Sequence, residues 1–265
     1  MLRAYVIVFL VFLYAPIALL PVFAFNDGTV IAFPLDGFTT RWFGAMAGNP
    51  ELRGALLNSL FVAVTSSVLS VLLGLAAARA NIRYRFPGKA AAMGLIMIPL
   101  VLPEIIVATS LLVVVVRILD FPLSLWTVIA AHTLICTPFA IAILNASFQA
   151  LDPAIEEAAI DLGETRASTF RLITLPLVAP GIVAALLICF TISLDEFIIA
   201  FFLTGSDPTL PVYIWSLLRF PRELPTIMAL GTVLVVVSIA ILTLAEWNRR
   251  RGLRRAGQAD PGGFL

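Results

Sequence analysis

The chain has 265 residues, of which 61% are hydrophobic and only 12% charged. That apolar share lies far above the roughly one half typical of soluble domains, so an ordinary soluble globular fold is excluded and a polytopic membrane protein is indicated. The formal net charge of +1 gives no sign of a nucleic-acid partner, and the charges are segregated along the chain, so their positions matter more than their sum.

In chain order, residues 4–25 form an apolar run behind the single Arg3, long enough to cross the roughly 30 Å hydrocarbon core. The run exceeds a signal-peptide core, contains Pro16 and Pro21, and precedes no A-x-A site, so it reads as a retained first span. Residues 26–53 form a loop punctuated by Asn26-Asp27-Gly28, Pro34, Asp36-Gly37 and Asn49-Pro50, with Phe38, Trp42 and Phe43 suited to the membrane surface.

The second span, 55–78, carries Ser59, Ser66, Ser67, Ser70 and Gly74, small residues that let membrane helices approach closely. A basic turn follows, with Arg79, Arg83, Arg85 and Lys89. The third span, 90–116, is broken by Pro99 and Pro103. The fourth, 123–145, carries His132 and Pro138. A lone intramembrane histidine reads as packed and hydrogen-bonded. Residues 177–203 and 226–247 complete six spans. Cys136 and Cys189 sit in apolar runs without metal-like spacing and read as small buried hydrophobes rather than a disulfide.

Between the fourth and fifth spans lies a polar island, 156–176. Asp152 followed by Pro153 is a strong helix start, and Glu156 and Glu157 favour the positive helix end. Gly163 supplies a left-handed stop, Thr165 caps a second helix from Arg166 to about Ile173, and Pro176 is expected to interrupt it. Helix, elbow, helix is the result. Basic residues place this island, Arg3, the 79–89 cluster and the tail arginines Arg249, Arg250, Arg251, Arg254 and Arg255 on one side, read as the cytoplasm, with both termini there.

Glu157-Ala158-Ala159, three residues, Gly163, nine residues, then Ile173-x-Leu175-Pro176 resembles the EAA loop of ABC importer permeases. Asn58-Ser59-Leu60, Pro99-x-x-x-Pro103-Glu104, Ser193-Leu194-Asp195-Glu196-Phe197 and Thr209-Leu210-Pro211-Val212-Tyr213-Ile214-Trp215-Ser216 are similar to the permeases of spermidine and putrescine importers, above all to their second, shorter permease subunit. Two departures are mild: Asp195-Glu196 stands where many relatives have two aspartates, and Arg166 where many have proline. The resemblance implies an all-α fold with six transmembrane helices, of the type I importer class, in the bacterial inner membrane. It divides the chain into residues 1–53 (first helix and periplasmic loop), a 54–247 core with its coupling loop 152–176, and a basic cytoplasmic tail, 248–265.

The same resemblance implies that Glu156, Glu157, Ala158, Ala159, Gly163 and Pro176 couple the chain to an ATPase subunit. Implied partners are a homologous first permease, two ATPase copies, a periplasmic substrate-binding protein and the lipid bilayer. Substrate-path candidates are Asp195 and Glu196, with Thr191 one turn before Asp195, and also Glu104, Tyr213 and Trp215. An ionised group in the bilayer costs several kcal/mol unless it faces water or a partner. Counting about 1.5 Å per residue from Gly181 puts the acid pair roughly 20 Å along its span, in the outer half.

Adjacent residues project about 100° apart, so one acid faces a central path while the other is free to cap a helix break or to pair with a partner permease; both readings stand. Glu104 after Pro103 either contacts cargo or stabilises the broken helix. Tyr213 and Trp215 either stack on an ammonium group or belong to the interfacial aromatic belt.

There is no phosphate-binding G-x-x-x-x-G-K-[ST] loop, no metal-ligand spacing and no nucleophile elbow. The chain is therefore expected to be non-catalytic and without its own cofactor, ATP and Mg being used by the partner ATPase. Polyamine import leads. Ferric iron, thiamine, phosphonate or opine-like cargo, a secondary transporter, and a membrane scaffold are the alternatives.

Overall fold

A computed structural model describes residues 2–255; residues 256–265, most of the expected basic tail, lie outside the described residues. The helices are α1 (Leu2–Ala24), α2 (Arg41–Gly48), α3 (Pro50–Arg83), α4 (Lys89–Met97), α5 (Glu104–Val113), α6 (Leu125–Gln149), α7 (Pro153–Asp161), α8 (Arg166–Thr169), α9 (Leu175–Asp195), α10 (Ile198–Leu203), α11 (Leu210–Leu217) and α12 (Leu224–Arg255). Among the described residues the one β-type pairing is an isolated bridge between Asn26 and Phe38, so the fold is all-α.

Five helical segments are long and apolar enough to span a bilayer: Leu2–Ala24, Pro50–Arg83, Leu125–Gln149, Arg166–Asp195 and Pro221–Ala240. The sixth span is a bent pair, Lys89–Leu100 and Glu104–Ile118, turning through 103°. Proline explains the bend. Pro99 lacks an N–H to donate, and Pro103 sits extended at φ −57°, ψ 132° before α5 begins.

The chain forms two compact units, one of Met1–Pro50 with Ile214–Leu265, the other Glu51–Tyr213. The last span packs with the first, because α12 lies along α1 and α2. Gly231 permits the approach: a Cβ there would stand 3.3 Å from both δ-carbons of Leu20. In the same unit the loop aromatics pack on one another, Phe25 lying 5.2 Å from Phe38 and 5.0 Å from Phe43 between ring centroids. Arg41 pairs with Asp27 at 2.9 Å, and Trp42 Nε1 donates to the Asn26 carbonyl at 2.8 Å.

In the second unit α3, α6 and α9 pack through small residues. A Cβ on Gly74 would lie 2.7 Å from Ala140 Cβ, and one on Gly181 1.9 Å from Ser147 Oγ, so the backbones meet closely at both glycines. Ser70 Oγ donates to the Thr133 carbonyl at 3.2 Å. Cys136 and Cys189 are free and buried, each thiol directed at the other's carbonyl at 3.6 and 3.5 Å. α3 is longer than the expected 55–78 run: it starts at Pro50, which takes a first-turn position, and carries Arg79 and Arg83 in its last turns.

Candidate functional site

The 152–176 element forms from local signals. Asp152 Oδ1 accepts from Ala154 N at 2.9 Å, capping α7, and Gly163 takes φ +95°, which a side chain would strain. Its N–H bonds the Ile160 carbonyl at 2.9 Å while Glu164 N reaches the Ala159 carbonyl at 3.1 Å, satisfying the helix end. Thr165 Oγ1 then accepts from Ser168 N at 3.2 Å.

From there the helix does not stop at Pro176, contrary to expectation. α8 passes through a wide π turn, Phe170–Thr174, into α9, and helix continues from Arg166 to Asp195. A proline ring clashes with the carbonyl four residues back in regular helix; the wider turn immediately before Pro176 accommodates it.

Four contacts fasten this element within its unit. Glu156 Oε2 lies 2.9 Å from Arg83 Nε, an ion-pair contact, and Glu156 Oε1 accepts from Thr174 Oγ1 at 2.6 Å. Arg83 Nη2 also donates to the Leu151 carbonyl at 3.3 Å. The Arg79 guanidinium stands 4.0 Å over the Phe170 ring. Glu156 thus bridges the end of α3 and the base of α9. Ala159 is buried, whereas Glu157, Ala158, Gly163 and Pro176 are exposed.

The second polar locus is the end of the fifth span. The expected uninterrupted run 177–203 is broken: α9 ends at Asp195, Glu196 is extended at φ −69°, ψ 119°, and α10 starts at Ile198. No proline or glycine causes this. Instead both Glu196 oxygens accept from Ile199 N at 3.0 Å, and Oε2 also from Ala200 N at 3.1 Å, capping α10. The carboxylate is buried.

His132 on α6 is fully buried beside this cap. Its Nε2 lies 3.3 Å from Glu196 Oε2 and its Nδ1 lies 2.7 Å from Ser193 Oγ. Ser66 on α3 donates to Ser193 Oγ at 2.9 Å. Four helices therefore meet in one buried polar chain, a grouping that sequence reasoning missed. The lone histidine and the serines of the second span were its only signals.

Asp195 points the other way. It is exposed, as is Thr191 one turn earlier, whose hydroxyl is bonded back to the Leu187 carbonyl at 2.8 Å. The exposed face of α9 is apolar at Val183 and Leu187 and becomes polar only at Thr191 and Asp195. The two adjacent acids thus occupy opposite environments. Glu104 is exposed in the first turn of α5, where its charge suits the positive helix end. On α11 Tyr213 is buried and Trp215 exposed.

Residues 70–252 match the family model described as binding-protein-dependent transport system inner membrane component. The spermidine/putrescine transport system permease protein PotC of Escherichia coli (strain K12) is 34% identical over 236 residues, covering 89% of this chain and 88% of that one. The putrescine transport system permease protein PotI of the same strain is 34% identical over 259 residues, covering 92% of each. Among solved structures, a bacterial ABC transporter involved in import of the acidic polysaccharide alginate superposes with a TM-score of 0.70 at 16% identity, covering 92% of both chains. A second alginate transporter structure, in complex with a pentasaccharide-bound periplasmic protein, gives 0.69 at 23% identity, covering 95% of this chain and 93% of that one. At these identities the structural likeness concerns the fold.

Proposed function

Because the chain belongs to the binding-protein-dependent transport system inner membrane components, we propose that it is the second permease subunit of an ATP-driven importer of polyamines such as spermidine and putrescine. Family membership makes it a multi-pass inner-membrane transport component and not an enzyme. The cargo reading is supported by its likeness, over about nine-tenths of its length, to permeases named for spermidine and putrescine transport.

The observation that carries it is Asp195, an exposed carboxylate on an otherwise apolar helix face. A charge so placed is costly against lipid and favourable against a water-filled path crossed by ammonium groups. Thr191 extends that polar surface, and Glu104, Tyr213 and Trp215 are further path candidates. Glu196, whose oxygens are engaged by α10 and lie beside His132, serves the path by shaping the break beside Asp195.

The exposed Glu157 and Ala158 present the docking face to an ATPase, with Gly163 giving the elbow and Glu156 carrying movement to α3 and α9. A homologous first permease completes the path, two ATPase copies use ATP and Mg, and a periplasmic binding protein delivers cargo. Both termini are cytoplasmic. Reporter fusions after Ala167 and after Asp207 test this orientation, with cytoplasmic and periplasmic signals expected in turn.

The direct functional test reconstitutes the whole importer in proteoliposomes and follows labelled putrescine. Uptake that requires ATP and the binding protein supports the reading. Uptake that persists without ATP makes the chain part of a secondary transporter, and ATP-coupled uptake of a different cargo overturns the polyamine reading.

A further inference from the structure

We propose that the bend of the third span, Val101 to Glu104, is a second subsite for an ammonium group of the cargo, inward of Asp195. Its ligand follows from the polyamine reading above, whereas the cation site itself does not depend on that choice. At about 1.5 Å per residue the first half of the span, Lys89–Leu100, is about 18 Å long and the second, Glu104–Ile118, about 22 Å, so neither alone crosses a hydrocarbon core of about 30 Å. With Lys89 at the cytoplasmic boundary, the bend therefore lies between about 8 and 18 Å inside the core.

Two backbone carbonyls go unpaired at this depth. The amides of Val101 and Leu102 both bond the Ile98 carbonyl, at 3.0 and 3.3 Å, and those of Ile106 and Val107 both turn to Pro103, at 2.9 and 3.3 Å. The carbonyls of Val101 and Leu102 accept no hydrogen bond among the described residues, and both residues are exposed, Val101 by 83%. Hydrocarbon offers a carbonyl no donor, at a cost of several kcal/mol for each, so irregular backbone at this depth lines water or is covered by protein.

Charge selects the ligand. The ends of the two helices oppose each other at the bend, negative from Lys89–Leu100 and positive from α5, which leaves the exposed Glu104 carboxylate as a whole negative charge. Glu104 makes no ion pair among the described residues, and no lysine, arginine or histidine lies between Lys89 and Arg117 in the chain. An ammonium group carries three N–H donors, which match one carboxylate and two carbonyls. Unwound carbonyls at a broken helix hold small cations by the same physics.

Inside the elbow lies an apolar recess of about 360 Å³, lined by Leu95, Ile98, Pro99, Leu102, Ile106 and Leu134. Leu102 belongs both to this recess and to the carbonyl pair. The recess suits the methylene spacer of a diamine, and an inorganic cation would leave it unused.

A thiol placed at the bend reports on it in the reconstituted whole importer. The Val101→Cys variant should react with a cationic methanethiosulfonate reagent faster than with an anionic one, by roughly tenfold beyond the ratio for a free thiol. Cys136 and Cys189 are buried, and the chain without the added thiol sets the background. Adding Glu104→Gln should abolish the preference, whereas Glu104→Asp should keep most of it. Putrescine delivered with the binding protein and ATP should slow the cationic reagent. An unreactive thiol in the assembled importer would give the bend to lipid or to the partner permease and overturn the subsite. So would reaction without charge preference, or a rate that putrescine leaves unchanged in vesicles that import it. If the unmodified importer takes up no putrescine while the Glu104-dependent preference stands, the cargo reading fails and the cation subsite is upheld.

Discussion

Glu156 Oε2 stands 2.9 Å from Arg83 Nε while its second oxygen accepts from Thr174 Oγ1 at 2.6 Å, so one carboxylate ties α7 to the end of α3 and to the base of α9. Both charged side chains keep only about a sixth of their surface, 15% and 17%. Any displacement of α7 by a partner must move these helices or break the contacts.

Glu156→Ala removes both contacts and leaves Arg83 and the Thr174 hydroxyl short of an acceptor in a largely buried place, a loss of about 1–3 kcal/mol. Glu156→Gln retains an acceptor for Thr174 and should cost about 1 kcal/mol. Thermal unfolding in detergent reads both. A double-mutant cycle with Arg83→Gln should show a coupling of about 1 kcal/mol, and strict additivity would remove the ion pair from the account.

Glu196→Ala should expose the Ile199 and Ala200 amides to faster hydrogen exchange, since the cap supplies their acceptors, with a stability loss of about 1–3 kcal/mol. Glu196→Gln keeps one acceptor oxygen and should lose less. His132→Leu should lose less and leave Ile199 protected, because Ser193 keeps its bond from Ser66 and the carboxylate keeps both amides. Unchanged protection at Ile199 in Glu196→Ala would show that the break is not held by its cap.

At the α3–α6 crossing, Gly74→Ala brings a Cβ to 2.7 Å from Ala140 Cβ and 3.2 Å from that residue's backbone. The helices must separate, at a cost of about 1–3 kcal/mol. Ala140→Gly in the same chain should recover much of the loss, because it removes the nearer contact. Failure of this rescue would place the strain elsewhere.

What could be read from the sequence follows the range of the forces involved. Asp152, Gly163 and Thr165 act within three residues, and their caps and turn are legible as local patterns. The bend near Pro99 and Pro103 is local in the same sense. Glu196 is different, because Ser-Leu-Asp-Glu-Phe contains no breaker, and its burial beside His132 arises only where α6 and α9 meet. Pro176 misleads because a preceding π turn absorbs its ring. The union of the first and last helices is invisible for the same reason, since it depends on Leu20 packing at Gly231.

Asp195→Asn in the reconstituted importer is the most direct measurement, because it removes one charge from the exposed polar end of α9 and preserves its size. ATP-driven uptake of labelled putrescine should fall by roughly tenfold or more, with complex assembly and basal ATP hydrolysis close to the unmodified level. Uptake of putrescine and spermidine at the unmodified rate by fully assembled complexes would contradict a path for cationic cargo past Asp195.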